Sequence, residues 1–194
     1  MSALFQTIAS DLPVYPSAVA YVAVRAWLTG APDATTDYAL DFSRIDFALQ
    51  SVGDDRMSVT IPFSIDAIDA VSARPNGDLL LEMRPTYDDG AVGQWFDRVR
   101  VDYETLTSSR SHSSASITLV GAASVDYWGA ASFTLDVVSR ESIISGGLRE
   151  WQTKLSVNIK PGDAATWAGT PITVGKVIGT LSDTAAAQTI TESG

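Results

Sequence analysis

The sequence predicts an all-β fold: an antiparallel β-barrel or sandwich with one short crossing helix and a C-terminal β appendix. Three observations predict it. Apolar residues recur with period two in segment after segment, as in half-buried antiparallel strands. The composition is turn-rich, with 18 Asp against 5 Glu and 10 Arg against 3 Lys, and Asp favours turns where Glu and Lys favour helices. Turn signals, finally, divide the chain at the spacing of a small barrel or sandwich.

The elements follow in order. The longest apolar run, "AVAYVAVRAWL", is interrupted by Arg25 and is far too short to span a bilayer. Between residues 40 and 49 the phase slips, with Leu40 and Phe42 on even numbers but Ile45, Phe47 and Leu49 on odd ones. A slip of this kind predicts a bulge or sharp bend. In "MSVTIPF" the residues Met57, Val59, Ile61 and Phe63 share a face, and in "DLLLEMR" Leu79, Leu81 and Met83 do. "RVRVDYE" sets Val99, Val101 and Tyr103 inward and Arg98, Arg100, Asp102 and Glu104 outward. Further strands are predicted around Ala115, Ile117 and Leu119, then Phe133, Leu135 and Val137, then Leu155, Val157 and Ile159.

Helix is scarce. "SIDAIDAVSAR", residues 64 to 74, is predicted to be helical, with Ser64 capping, Asp66 in the first turn and Ile65, Ile68 and Val71 lining one side. Pro75-Asn76-Gly77 ends it. "SALFQTIAS" near the N-terminus predicts two further turns. The expected turns are Pro32 to Asp37, Gly53-Asp54-Asp55, Pro75 to Asp78, Asp88-Asp89-Gly90 and Pro161-Gly162-Asp163. A seam at "SRESIISGG", Ser139 to Gly147, divides the chain. Residues 1–138 are read as a β-barrel domain with an N-terminal extension, and 139–194 as a C-terminal β appendix packed on or beside it.

At 194 residues and 45% apolar content, one ordinary domain with an addition can bury a sizeable core. The net charge of −10 argues against nucleic acid as the main ligand, because phosphate binding needs clustered Lys and Arg. Arg over Lys fits buried contact surfaces or simply coding bias. Cysteine is absent, which excludes disulfides and thiolate metal sites. No basic segment precedes an apolar stretch at the N-terminus, so no secretory signal or membrane anchor is expected. The product is read as soluble and made in the cytoplasm.

Chemistry is hard to place. His112, the only histidine, lies among six serines in "VRVDYETLTSSRSHSSASITLVG". No G-x-S-x-G elbow accompanies it, and a serine hydrolase needs an oxyanion hole and an orienting third group. The stretch is instead read as two strands, 98 to 104 and 115 to 121, joined by a polar hairpin loop. The pairs Asp54-Asp55 and Asp88-Asp89 lack calcium-loop spacing and read as turn residues, although a loop calcium or a glycosidase carboxylate pair is formally available. Trp27, Trp95, Trp128, Trp151 and Trp167 fall in different elements and read as core or protein interface more than as a sugar-stacking strip. No catalytic, cofactor-binding or metal residue is assigned, and no cofactor is expected.

Two stretches resemble tail hub and baseplate proteins of tailed bacteriophages. The first is "MSVTIPFSIDAIDAVSARPNGDLLLEMRPTYDDGAVGQWFDRVRVDYETLTSSRSHSSASITLVGAAS". It is similar to the barrel of those proteins, where a strand and short crossing helix lead into a "dLLLEMRPTY" strand and then a hairpin ending in "itL.G". The second is "REWQTKLSVNIKPGDAATWAGTPITVGKVIGTLSDTAAAQTITES". It resembles a C-terminal β region of some siphophage tail proteins with an "LxPGDtvtwdGxxftVgxI" stretch, matched here by Pro161, Gly162, Asp163, Gly169, Val174, Gly175 and Ile178. Where such barrels often carry a glycine, this chain reads Phe96-Asp97-Arg98-Val99.

The resemblance implies a structural virion protein without catalysis, part of a trimeric or hexameric ring around the tail's central channel. It implies other copies and neighbouring tail proteins as partners, and DNA passing without specific binding. Helix 64 to 74 and the loops 88 to 94 and 105 to 114 are the expected contacts between subunits. The alternatives are a distal-tail, tail-tube or tail-completion protein of the same virion, and, from another class, a carbohydrate-binding β-sandwich adhesin.

Overall fold

The structure, a computed structural model, describes residues 19–30, 37–111, 114–127, 129, 131–135, 138–182 and 185–194. The expected N-terminal helical turns, His112, Trp128 and most of the Pro32 to Asp37 turn lie outside the described residues.

The strands run in chain order as β1 (Val19–Leu28), β2 (Tyr38–Leu40), β3 (Arg44–Gln50) and β4 (Asp55–Pro62). Helix α1 (Ile65–Ser72) then leads to β5 (Asp78–Tyr87), β6 (Phe96–Arg110) and β7 (Ala115–Ala123). Next come β8 (Ser132–Thr134), β9 (Val138–Ile143) and β10 (Arg149–Thr153). The last are β11 (Ala164–Trp167), β12 (Thr170–Ser182) and β13 (Ala185–Glu192). They form one sheet in the order β2-β1-β5-β6-β7-β4-β3-β12-β13-β10-β9, with β11 joined to β12 and β8 to β11. Every ladder is antiparallel except the short β8–β11 pair.

The end strands β2 and β9 do not pair. The sheet is therefore open and sandwich-like, not a closed barrel. Strands of the segment 139–194 enter that same sheet, since β12 lies directly beside β3. One apolar cluster runs from Ala26 in β1 through Phe47, Met57, Leu81, Val101 and Leu119 to Trp151 and Ile190.

Alternation in the sequence becomes alternation in burial. In β4 the residues Met57, Val59 and Ile61 are buried while Arg56 and Pro62 are exposed. Strand β3 buries Ile45, Phe47 and Leu49 in the same way. The hairpin at Ala168-Gly169 closes tightly between β11 and β12, both residues at positive φ, the backbone that a two-residue loop of this twist needs.

The slip near residue 42 is a bend at Ser43, in the break between β2 and β3, which are not neighbours in the sheet. Four expectations are corrected. Residues 155–159 form no strand, although Val157 and Ile159 are buried as the alternation required. Ile65 does not face the core. It is 70% exposed, and Ala67 and Val71 are the buried helix residues. The first helical residue lies before the stripe that the later turn sets against the sheet. Ser64 occupies the N-cap position, but its side chain makes no capping hydrogen bond.

The fourth concerns Arg98, predicted to face outward and found 4% exposed. Opposite β5 the register runs Leu81↔Val99 and then Glu82↔Asp97. Arg98 is thus the extra residue of a bulge, and a bulge turns an outward side chain inward.

Candidate functional site

The residues that sequence reasoning weighed for chemistry are structural where they are described. Flanking His112, Ser111 donates its N–H to the Ser114 carbonyl at 2.7 Å, and its hydroxyl accepts from the Ser114 N–H at 3.1 Å. These serines stitch the base of a hairpin loop. Asp89 accepts the Ala91 N–H at 2.9 Å, which is turn chemistry. Asp55 is buried while Asp54 is exposed, so the pair does not present two oxygens to one ion. Among the described residues no group of three or more His, Cys, Asp or Glu could hold a metal. No described helix is long and apolar enough to cross a membrane.

A buried charge cluster was missed in the sequence. Asp55 accepts the Gln50 N–H at 3.0 Å and the Tyr127 hydroxyl. Asp163 accepts the Lys160 N–H at 2.8 Å and the Ala131 N–H at 3.3 Å. Arg98 lies among these groups, yet none of its three guanidinium nitrogens has a hydrogen-bond partner among the described residues. Burial pulls the Arg98 pKa down to about 10, against the attraction of Tyr127, Asp55 and Asp163. Burial also lifts the Asp55 carboxyl above its ordinary value, despite the hydrogen bonds from Tyr127 and Gln50. Lys160 is pushed down by burial and by Arg98. These groups sit inside the sandwich and tie the start of β4 and the β6 bulge to the turn before β11. Only the bulge could have revealed the cluster, and alternation by itself hides a bulge.

The outer face of β1 and β5 carries a second group. Arg25 forks onto Glu82 at 2.6 and 3.1 Å, and Trp27 Nε1 donates to the same carboxylate at 2.6 Å. The Arg25 and Arg84 guanidinium carbons stand 4.2 and 4.8 Å from the centre of the Trp95 ring, a cation–π arrangement. A Trp ring stacked by guanidinium groups is ill suited to stack on sugar. Trp151 is fully buried, and Trp167 donates to Glu141 at 3.1 Å. Beside this face an open groove of about 630 Å³ is lined by Val24, Trp27, Leu40, Phe42 and Ser182 among others.

The β6–β7 hairpin supplies a third surface. Strand β5 ends its pairing at Asp78↔Asp102, and a second register shift follows between Tyr103 and Thr105. From Thr105 to Arg110, β6 pairs only with β7 among the described residues. Its other edge carries no strand among the described residues, is rich in Thr and Ser, and ends at Arg110, which stacks on Phe63 at 4.4 Å. An open edge of this kind is a template for pairing with another chain.

No family model and no curated protein sequence matches the chain. Solved structures do. The tail protein from Neisseria meningitidis MC58 superposes with a TM-score of 0.53 at 8% identity, covering 89% of this chain and 97% of that one. The 43 kDa tail protein of prophage MuSo2 from Shewanella oneidensis gives 0.52 at 5% identity, covering 88% and 98%. The fold is that of these tail proteins. At such identities the likeness is one of backbone path. On its hydrophobic core this fold carries the polar β6–β7 hairpin and the stacked Arg–Trp face.

Proposed function

We propose that this chain is a structural protein of a bacteriophage tail, part of the hub or baseplate ring around the central channel. The observation that carries the reading is the superposition on two tail proteins across about nine-tenths of this chain and nearly all of theirs. The surfaces support it. The free β6 edge, the exposed face of α1 and the loop between β5 and β6 are features a self-assembling protein uses and an isolated one covers. In this reading the protein acts by presenting surfaces and not by catalysis, and the support is its likeness to tail proteins. In a trimeric or hexameric ring, a chain of net charge −10 would let DNA pass without specific binding.

Purified full-length chain, studied by light scattering and negative-stain microscopy, is expected to form closed rings or to enter them with other tail proteins. A protein that stays monomeric at high concentration and in the presence of its tail neighbours defeats this reading.

A further inference from the structure

The outer face of β5 and the outer face of α1 are complementary, and within one molecule they cannot meet. On the first, Arg25 and Arg84 flank Trp95 at 4.2 and 4.8 Å, so two cations lie close together. Glu82 neutralises one of them through its fork to Arg25. Arg84 has no ion pair among the described residues, and its Nε is shut away from water without an acceptor. Val92, 55% exposed, adds an apolar rim on the loop that leads to Trp95.

On the second face α1 displays Ile65, Asp66 and Asp69, all exposed. Neither carboxylate has a side-chain partner among the described residues. Helical spacing sets them about 5–6 Å apart at Cβ, close enough for both to reach the paired cations. One face thus offers an apolar side chain with two unpaired anions, and the other an apolar rim with an uncompensated cation. Arg84 stands six residues along β5 from Asp78, where the helix-to-strand turn ends. At about 3.3 Å per residue that is roughly 20 Å, too far for α1 to fold back onto it.

We propose that α1 of one copy docks on the Arg84–Trp95 face of the next, with Asp66 and Asp69 reaching the guanidinium groups and Ile65 packing beside Val92. The contact is head-to-tail, each copy using a different face on either side, and such a contact closes into a ring when its rotation permits. This inference rests on the self-assembly proposed above and names the surfaces that perform it. The other anionic occupant, DNA phosphate, is disfavoured by the chain's net charge.

The test is oligomeric mass and ring formation of the full chain in four forms: unaltered, Arg84→Glu, the pair Asp66→Lys with Asp69→Lys, and all three substitutions together. Arg84→Glu and the helix pair are each expected to reduce the assembly to monomers, with at least a tenfold weaker self-association. The combined form is expected to recover rings. Arg84→Gln, whose flat amide still lies on Trp95, serves as a milder probe and is expected to weaken association, while circular dichroism checks that each form is folded. If rings persist in both charge-reversed forms, or the folded combined form stays monomeric, this contact is wrong while the ring reading survives. If the unaltered chain is monomeric, both fall. Retention of a short DNA duplex, lost in Arg84→Glu, would assign the face to phosphate and overturn the proposal.

Discussion

The Arg98 guanidinium carbon stands 5.5 Å from the centre of the Phe47 ring, inside the sandwich. Its charge faces Asp55 and Asp163 without a hydrogen bond to either. A buried ion cluster is weak support for a fold, because desolvation offsets most of the attraction. Replacing Arg98 alone is another matter: Arg98→Met leaves the buried Asp55 and Asp163 carboxyls without the cation they face and is expected to cost about 3–5 kcal/mol. Tyr127→Phe removes the hydroxyl that Asp55 accepts and is expected to cost about 1–3 kcal/mol. Urea unfolding at neutral pH checks both. An unchanged stability in Arg98→Met would show that the two carboxyls do not depend on the cation and would refute the coupling.

Asp55 gives the cluster a pH signature. Its carboxyl is raised in the folded state by burial, so just above the ordinary carboxyl range the native protein holds more protons than the unfolded chain. This group's contribution must then make stability fall as pH rises through that window. Asp55→Asn lacks the contribution. The variant should gain on the unaltered protein as pH climbs from the ordinary aspartate value to neutrality. A stability difference that is flat with pH, or that moves the other way, contradicts the assignment.

Glu82 predicts the opposite slope. Burial lifts its carboxyl, but the hydrogen bonds from Arg25 and Trp27 outweigh burial and hold it below the ordinary value. Its stabilisation is complete above the unfolded-state pKa and fades as pH falls through the folded one. Arg25 is partly exposed, so screening limits the effect. Glu82→Gln is expected to cost about 1 kcal/mol at neutral pH, with the gap closing in acid. Thermal melts of the two proteins from pH 3 to pH 7 read it directly.

Gly179 faces Phe47 across the β3–β12 ladder. A Cβ on Gly179 would lie 2.1 Å from a ring carbon of Phe47, so the ring occupies the space of the missing side chain. Gly179→Ala must displace Phe47 within a filled core and is expected to cost about 1–3 kcal/mol. Phe47→Leu should relieve the clash, so the double variant should be more stable than the two single losses predict. Strict additivity would mean that the ring moves aside freely.

Much of this fold was legible because a strand with one buried face writes its pattern into the sequence. Met57, Val59 and Ile61, and likewise Leu79, Leu81 and Met83, alternate and are buried as they alternate. Other features were not legible. Arg98 entered the core because a single extra residue in β6 inverts the face locally, and nothing in "FDRVRVD" marks where it falls. Val157 and Ile159 alternate and are buried in irregular backbone, since alternation reports burial and not pairing. The openness of the sheet depends on which strand ends meet, which no local pattern encodes. The stacked face was not legible either: all five tryptophans read alike as core or protein interface, and the convergence of Trp27 and Trp95 needs the β1–β5 register that places Arg25 opposite Glu82.

Asp163 couples the turn at Pro161-Gly162 to the short strand pair at the sheet's margin. One carboxylate oxygen accepts the Lys160 N–H at 2.8 Å, and the other accepts the Ala131 N–H at 3.3 Å. Just beyond it, the Ala164 N–H donates to the Ala131 carbonyl at 3.0 Å and opens the β8–β11 pairing. Asp163→Ala leaves two part-buried amides without their acceptor, a loss of about 1–3 kcal/mol. Because β8 has no other strand partner among the described residues, the damage should be local before it is global. Hydrogen exchange is expected to quicken first at Ala131, Ala164 and Leu135, whose N–H donates to the Thr166 carbonyl, while β3 and β4 keep their protection. Asp163→Asn retains one strong acceptor and should fall between the two. Uniform loss of protection across the sheet would place Asp163 in the central core's cooperative unit and refute a local role.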